Sequence, residues 1–164
     1  MNTYLFLKYL HELAAFWFIA GILGRQLVRH LARQGSDVHR FASLTQVAGR
    51  FESLMVIPGN LLVILLGMLL AWRGGWPIFG FLQGADANWL LVTNLILVAG
   101  LLLVPLVYAP RGRLFEQRLQ EALVVGEMTG ALTAILDDPV VKWVHRAEYM
   151  GLLLILVLMI FKPI

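Results

Sequence analysis

The chain has 164 residues, of which 60% are hydrophobic and 14% charged, with a mean hydropathy of +0.79. This composition excludes an ordinary soluble domain, in which about 25% of residues are charged. No cysteine is present, which excludes disulfides, thiolate metal sites and thiol nucleophiles. The formal net charge of +3 does not indicate a nucleic-acid partner, because 10 of the 13 basic residues fall in two connections between apolar runs.

Four apolar runs dominate the sequence, at residues 4–24, 54–72, 89–108 and 150–161. A helix of about 20 apolar residues crosses the roughly 30 Å of hydrocarbon in a bilayer. We therefore predict an all-α polytopic membrane protein whose four transmembrane helices form a bundle in a single integral membrane domain, residues 1–164. The predicted spans are approximately 4–27, 52–72, 89–109 and 143–161.

The first apolar run is expected to remain in the mature protein as a helix. It follows an uncharged Met1-Asn2-Thr3, and it is longer than the 7–15 residues typical of a signal-peptide core.

Two of the connections between the spans have amphipathic character. The helical period of the first span continues through residues 25–33 and should end at Gly35, after which Ser36 could cap a short helix. A second amphipathic segment is predicted from Leu114 to Leu136, before a break at Asp137-Asp138-Pro139 where either aspartate could cap the last helix. These helices should pack on each other or on the membrane surface. Their apolar positions are Val38, Phe41, Leu44 and Val47 in the first, and Phe115, Leu119, Leu123 and Val124 in the second.

The basic residues predict the orientation in the membrane. Short cytoplasmic loops carry an excess of lysine and arginine, and the connection at residues 73–88 holds only one arginine. We therefore expect a multi-pass protein of the bacterial inner (plasma) membrane with both termini and residues 73–88 outside. The ten inner basic residues are Arg25, Arg29, Arg33, Arg40, Arg50, Arg111, Arg113, Arg118, Lys142 and Arg146.

The first span contains three polar residues, Lys8, His11 and Glu12, which lie one turn apart on one helix face. One interpretation is a salt-linked cluster that faces the bundle and fixes the helix register. The other is that His11 is an axial ligand of a haem iron or a proton-handling group.

No other histidine lies at the level of His11. His30 follows 19 residues later, roughly 28 Å along a helix, so a bis-histidine haem is not expected. The second axial position would be empty or filled by a residue of the last helix such as Lys162 or Met159. His30, His39 and His145 fall on the predicted inner side, and the first two are expected to be solvated.

Other polar residues suggest packing roles. Glu52 and Glu148 stand beside Arg50 and Arg146, which predicts interfacial ion pairs. Pro58 frees a backbone carbonyl and Asn60 carries an amide that needs a partner, which predicts a kink facing the bundle interior. Asn94 and Pro105 suggest comparable roles in the third helix.

The residues Leu7-Lys8-Tyr9-Leu10-His11, Ala20-Gly21, Arg25 and His30 resemble the first helix of the HemJ-type membrane protoporphyrinogen oxidases. That resemblance implies haem b bound through His11, with Lys8 also important. The chain departs from the pattern in the third span, where Tyr108-Ala109-Pro110 stands in place of a Tyr-His pair. As a whole it looks more like a family of predicted bacterial integral membrane proteins of unknown function. The shared features are the Lys-x-Leu-His start, residues 110–113, an Asp-Pro before the last span and the Lys-Pro end.

Two functions of different class follow from these observations. The leading hypothesis is a four-helix inner-membrane protein that binds haem b or a related redox group at His11, with Lys8 nearby, and passes electrons. The alternative is a non-catalytic membrane subunit or small transporter-like bundle, whose inner amphipathic helices dock a membrane protein partner or a second copy of the chain. True protoporphyrinogen oxidase activity is a third possibility, and the missing third-span histidine argues against it.

Overall fold

A computed structural model describes residues 3–162, in which helices account for nearly all of the chain and no strand occurs. Four helical stretches are long and apolar enough to cross a membrane: Thr3–Ala32, Val38–Gly74, Trp89–Val125 and Gly130–Phe161. The all-α class and the prediction of four helices able to span a membrane are thereby confirmed. The chain divides into two compact units, Met1–Trp76 and Pro77–Ile164.

The first unit contains α1 (Thr3–Ala32), α2 (Val38–Phe51), a five-residue π-helical segment (Glu52–Val56) and α3 (Ile57–Gly74). α1 ends three residues before the predicted stop at Gly35. The cap of α2 is Asp37 rather than Ser36, and its carboxylate accepts hydrogen bonds from the backbone amides of His39 and Arg40.

The amphipathic helix α2 packs on α1 instead of lying free on a membrane surface. Its apolar residues Val38, Phe41 and Ala48 are at most 3% exposed, and α2 packs chiefly against α1. α2 also runs through the π segment into α3, so that residues 38–74 form one uninterrupted helical stretch. The predicted second span begins at residue 52, where the π segment starts, and the helix continues through this point without a break.

Glycines bring α1 and α3 into close contact. A Cβ added to Gly59 would lie 3.0 Å from the Cα of Phe18, and one added to Gly21 would lie 2.6 Å from the Cβ of Met55. Small residues at such positions let transmembrane helices approach closely enough for tight van der Waals packing. These contacts therefore fix the distance between α1, which carries His11, and α3, which the His11 ring faces.

The second unit contains a short 3₁₀ turn (Gly80–Gln83), α4 (Trp89–Leu103), a second π segment (Val104–Tyr108) and α5 (Ala109–Val125), followed by α6 (Gly130–Leu136) and α7 (Pro139–Phe161). α4 continues through the π segment into α5. Asp138 caps α7, as predicted, and accepts a 2.8 Å hydrogen bond from the Val140 amide.

The predicted amphipathic segment at residues 114–136 is two helices. Gly126 ends α5 with a φ of +81°, a left-handed conformation that glycine adopts at low cost, and Thr129 caps α6. α6 folds back onto α5, where Leu119 and Leu132 are 5% and 0% exposed. Leu119, one of the four apolar positions that the sequence assigned to a partner, is thus covered within the unit, whereas Val124 is 89% exposed.

Candidate functional site

His11 lies on α1 inside the first span, and its half-buried ring rests on Gly67 of α3. A Cβ added to Gly67 would lie 3.1 Å from the ring carbon Cε1, 3.5 Å from Nδ1 and 4.0 Å from Nε2. A larger side chain at position 67 would push the ring away. Gly67 therefore provides the surface that sets the position of the imidazole.

The two nitrogens of His11 differ in their surroundings. Nδ1 is buried and has no hydrogen-bond partner in the part of the chain described. The backbone of Val63, one turn before Gly67, lies next to the ring but outside hydrogen-bond geometry to Nδ1. A polar atom without a partner costs several kcal/mol in hydrocarbon, so the position of this nitrogen requires a functional or structural reason.

Lys8 and Glu12 do not join His11 in one buried cluster. Their side chains form an i,i+4 salt bridge at 3.8 Å, and each is more than half exposed. His11 instead turns toward α3. The three residues share a region of α1, and the histidine contacts α3 through the geometry described above.

An ion pair closes the other end of the α1–α3 contact. The guanidinium of Arg25, a residue that is 4% exposed, donates a hydrogen bond to the carboxylate of Glu52 at the start of the first π segment. The predicted pairing of Glu52 with Arg50 is wrong, since Arg50 lies exposed on α2. Arg25 and Glu52 are 27 positions apart in the sequence, so the local spacing of residues could not predict their ion pair.

Pro58 affects the backbone as predicted, but its effect takes the form of the π segment. In an α-helix the Leu54 carbonyl would accept the amide hydrogen of residue 58, which proline lacks. The indole Nε1 of Trp17 donates to this carbonyl at 3.3 Å. Asn60, two residues beyond the proline, has a buried Oδ1 without a hydrogen-bond partner between residues 3 and 162, in agreement with its predicted inward orientation.

The remaining histidines lie apart from His11 along the sequence. His30 and His39 are exposed, as predicted, and the His30 ring contacts the Gln34 side chain at 3.1 Å. Between residues 3 and 162 there is no group of three or more His, Cys, Asp or Glu side chains that could hold a metal ion. A metal at His11 would therefore need ligands that a cofactor supplies.

The candidates for a second axial ligand are placed in the second unit. The Lys162 ammonium lies 5.3 Å from the centre of the Trp89 ring, in a cation–π contact, and Met159 is half-buried on α7. Pro163, which completes the Lys-Pro end, lies outside the described residues. Asn94 donates to the Ile78 carbonyl at 3.2 Å and so holds the loop before α4 instead of pairing two long helices.

A polar cluster that the sequence did not predict surrounds the end of the second π segment. The Tyr108 hydroxyl donates to the Glu148 carboxylate at 3.4 Å, a contact between the second π segment and α7. The Tyr108 and His145 rings meet edge to face, with centroids 5.7 Å apart. One turn after Tyr108, Arg111 binds Asp138 at 2.9 Å. The residues of this cluster are far apart in the sequence, and no local motif links them. Sequence reasoning therefore could not find it.

Comparison with known proteins identifies a family but no relative of known activity. The model of a family described as predicted integral membrane protein (DUF2269) matches residues 5–163. No curated protein and no solved structure matches the chain. The match confirms the resemblance to an uncharacterised membrane family, whereas the resemblance to protoporphyrinogen oxidases stays a hypothesis.

Proposed function

The chain belongs to the DUF2269 family of predicted integral membrane proteins, and we propose that it binds haem b or a related redox group through His11 and transfers electrons in the membrane. The observation that carries this proposal is a histidine inside a membrane span, half-buried against α3, whose buried Nδ1 has no hydrogen-bond partner among the described residues. Ionisable residues inside spans are costly and commonly functional.

The surroundings of His11 fit an axial imidazole. A histidine that binds a metal through one nitrogen usually donates its other N–H to a carbonyl or carboxylate, which fixes the tautomer and the ring orientation. Here Nε2, the nitrogen farther from Gly67, is the proposed ligand atom. Nδ1 then carries the proton, and the neighbouring Val63 backbone offers the acceptor after a small adjustment.

The contact between α1 and α3 limits where such a group can lie. A Cβ added at Gly59 or Gly67 would lie close to 3 Å from Phe18 or from the His11 ring, so α1 and α3 are too close at these positions to hold a porphyrin between them. A haem would therefore meet the ring from the side of α1 that α3 does not cover. Gly67 would hold the ring while that side stays available.

The Lys8–Glu12 pair suggests a role for the lysine. Lys8 lies one turn before His11 and is more than half exposed, so its ammonium can reach an acidic group of a cofactor bound at His11. Haem b carries two propionate carboxylates, and pairing with one of them would fix the orientation of the ring. When bound, the haem supplies one-electron redox chemistry, and the protein residues hold and orient it and exclude water.

A visible absorption spectrum of the purified protein, expressed with ample haem, tests this proposal. We expect a Soret band that His11→Ala removes and Lys8→Ala shifts or weakens. His30→Ala is the matched control, because His30 is on the same helix but exposed, and it should leave the band unchanged. Absence of a Soret band in the unmodified protein, or an unaltered band in His11→Ala, would disprove haem binding at this residue.

A further inference from the structure

The loop that leads into α4 exposes large apolar side chains. We call residues 77–88 the aromatic loop, and its Phe79, Phe81 and Leu82 are 53%, 65% and 67% exposed. Asp86 is the one charged residue in its sequence. Apolar side chains that cluster at a protein surface indicate contact with a partner or a membrane. These three side chains therefore require an apolar environment outside the loop.

The other turns between helices have a different character. The turn between α1 and α2 contains Arg33 and Asp37, the turn after α5 contains Glu127, and the turn before α7 contains Asp137. All four of these side chains are exposed, as charged residues usually are. The short turns are thus suited to water, whereas the aromatic loop is not.

Hydrogen bonds within the aromatic loop satisfy most of its backbone amides. The Phe79 amide donates to Gln83 Oε1 at 3.1 Å, and the Phe81 amide donates to Asn88 Oδ1 at 2.9 Å. Four more amides donate to carbonyls of the same loop at 3.0–3.3 Å, those of Gly80, Leu82, Gly84 and Ala85. Backbone polar groups in contact with lipid need such internal partners, because hydrocarbon offers none. The loop can therefore enter an apolar environment without leaving these amides unpaired.

Two asparagines hold the aromatic loop against α4. A Cβ added to Gly80 would collide with the side chain of Asn88, so this part of the loop lies directly on the residue that precedes the helix. Asn94 donates to the Ile78 carbonyl at 3.2 Å. Asn94 lies five residues after the first residue of α4, about 7.5 Å along the helix. The bond draws the loop back along the side of a membrane span and does not let it extend away into water.

We propose that the aromatic loop is a lipid-binding anchor, which inserts Phe79, Phe81 and Leu82 among the lipids of the leaflet at which α4 begins. The side chains would lie at the boundary between headgroups and acyl chains, where amphipathic segments bury their apolar residues. Asp86, farther along the loop, would stay in water. Anchors at the membrane interface fix the depth and tilt of the helices that carry them, and here the helix is α4.

Nitroxide labels on the full chain in vesicles of phosphatidylethanolamine and phosphatidylglycerol test the proposal, and the absence of cysteine allows single labels. Labels at Leu82→Cys and Asp86→Cys form a matched pair, because both side chains are exposed and belong to the same loop. Leu101→Cys, on α4 and 62% exposed, is the reference within the span. Power-saturation EPR measures how often each label collides with oxygen, which concentrates in lipid, and with a water-soluble nickel chelate.

We expect the oxygen-to-nickel collision ratio at position 82 to be several-fold higher than that at position 86 and closer to that at position 101. Asn94→Ala and Asn88→Ala each remove one of the side chains that hold the loop. In both variants the ratio at position 82 should fall toward the value at position 86, while the ratio at position 101 stays constant and shows that α4 is intact. Either variant suffices if the other does not fold.

The proposal is overturned if the label at position 82 collides with the nickel chelate as often as the label at position 86, because the loop would then lie in water. It is also overturned if position 82 is protected from both reagents, since protein, such as a second copy of the chain, would then cover these side chains. An unchanged ratio in both asparagine variants would show that these residues do not hold the loop at the membrane. None of these outcomes depends on haem binding.

Discussion

Gly67 determines how closely the His11 ring can approach α3, and this can be tested without any cofactor. Alanine in place of glycine in a helix usually adds about 0.5–1 kcal/mol of stability. We expect that gain for Gly100→Ala, where the added methyl meets nothing within 4 Å. In Gly67→Ala the methyl would lie 3.1 Å from the imidazole Cε1, and overpacking costs about 1–3 kcal/mol. Thermal unfolding in detergent should therefore rank Gly67→Ala below Gly100→Ala.

The same substitutions in a His11→Ala background complete the comparison. Without the ring, Gly67→Ala should lose its penalty and approach the behaviour of Gly100→Ala. Equal midpoints for the two glycine variants in both backgrounds would show that the His11–Gly67 contact is not tight.

The Arg25–Glu52 pair predicts that removal of one partner costs more stability than removal of the other. The side chain of Arg25 is 5% exposed and that of Glu52 35% exposed. Glu52→Leu leaves the buried guanidinium without its carboxylate and should cost about 3–5 kcal/mol of unfolding free energy. Arg25→Met leaves a carboxylate that water can still reach, so its cost should be smaller. Denaturation of both variants checks the order, and a larger loss in Arg25→Met would contradict the burial argument.

At the scale of elements, the first π segment predicts that the stability effects of substitutions at Trp17 and Pro58 are coupled. Trp17→Phe removes the indole donor to the Leu54 carbonyl and should cost about 1 kcal/mol, the usual net value of one hydrogen bond. Pro58→Ala restores a backbone amide that can bond this carbonyl in an α-helix. The Trp17→Phe substitution should therefore cost less in the Pro58→Ala background. Unfolding free energies of the four proteins give the coupling, and strict additivity would exclude the proposed link.

The packing of α6 on α5 separates a folding role from a docking role for the second amphipathic segment. Leu119 is 5% exposed and Val124 is 89% exposed. Leu119→Glu buries an unpaired charge and should strongly destabilise the second unit, whereas Val124→Glu should change stability by less than about 0.5 kcal/mol. Thermal unfolding checks both. Stable, folded Leu119→Glu protein would mean that this face is free to bind a partner, as the sequence alone suggested.

The elements also show how far sequence reasoning reaches. Apolar runs of membrane length give the four spans, and the residue before Pro139 gives the cap of α7, because both signals are local. The continuity of α2 with α3 and of α4 with α5 could not be predicted, because the prolines predict a kink and carry no local signal for a π segment. At the site, the sequence singled out His11 as a polar residue at membrane depth. Its contact with Gly67 and the Tyr108–Glu148 contact join positions 56 and 40 residues apart, beyond any local period.

At the scale of the whole molecule, the placement of the basic residues predicts the orientation in the membrane. α1 has 30 residues, about 45 Å at 1.5 Å per residue, so its arginine-bearing end extends beyond the hydrocarbon. Reporter fusions after Gly84 should behave as external, and fusions after Gly35 or Gly126 as cytoplasmic. All three residues lie in turns between helices, where an added domain does not interrupt an element.

A charge redesign then tests whether these residues cause the orientation. Two or three arginines added near Gly84, together with removal of Arg29, Arg33 and Arg40, should weaken or invert the reporter pattern, because the lysine and arginine bias of short loops sets topology. In the matched control, the same number of glutamates takes the place of the added arginines. Glutamates contribute little to the lysine and arginine rule, so this control should leave the reporter pattern intact. If the redesigned protein keeps its orientation, the charges of the first two connections do not determine it. The second unit, whose inner connection carries five of the basic residues, must then direct insertion, and the reporter pattern should respond to removal of Arg111, Arg113 and Arg118 instead.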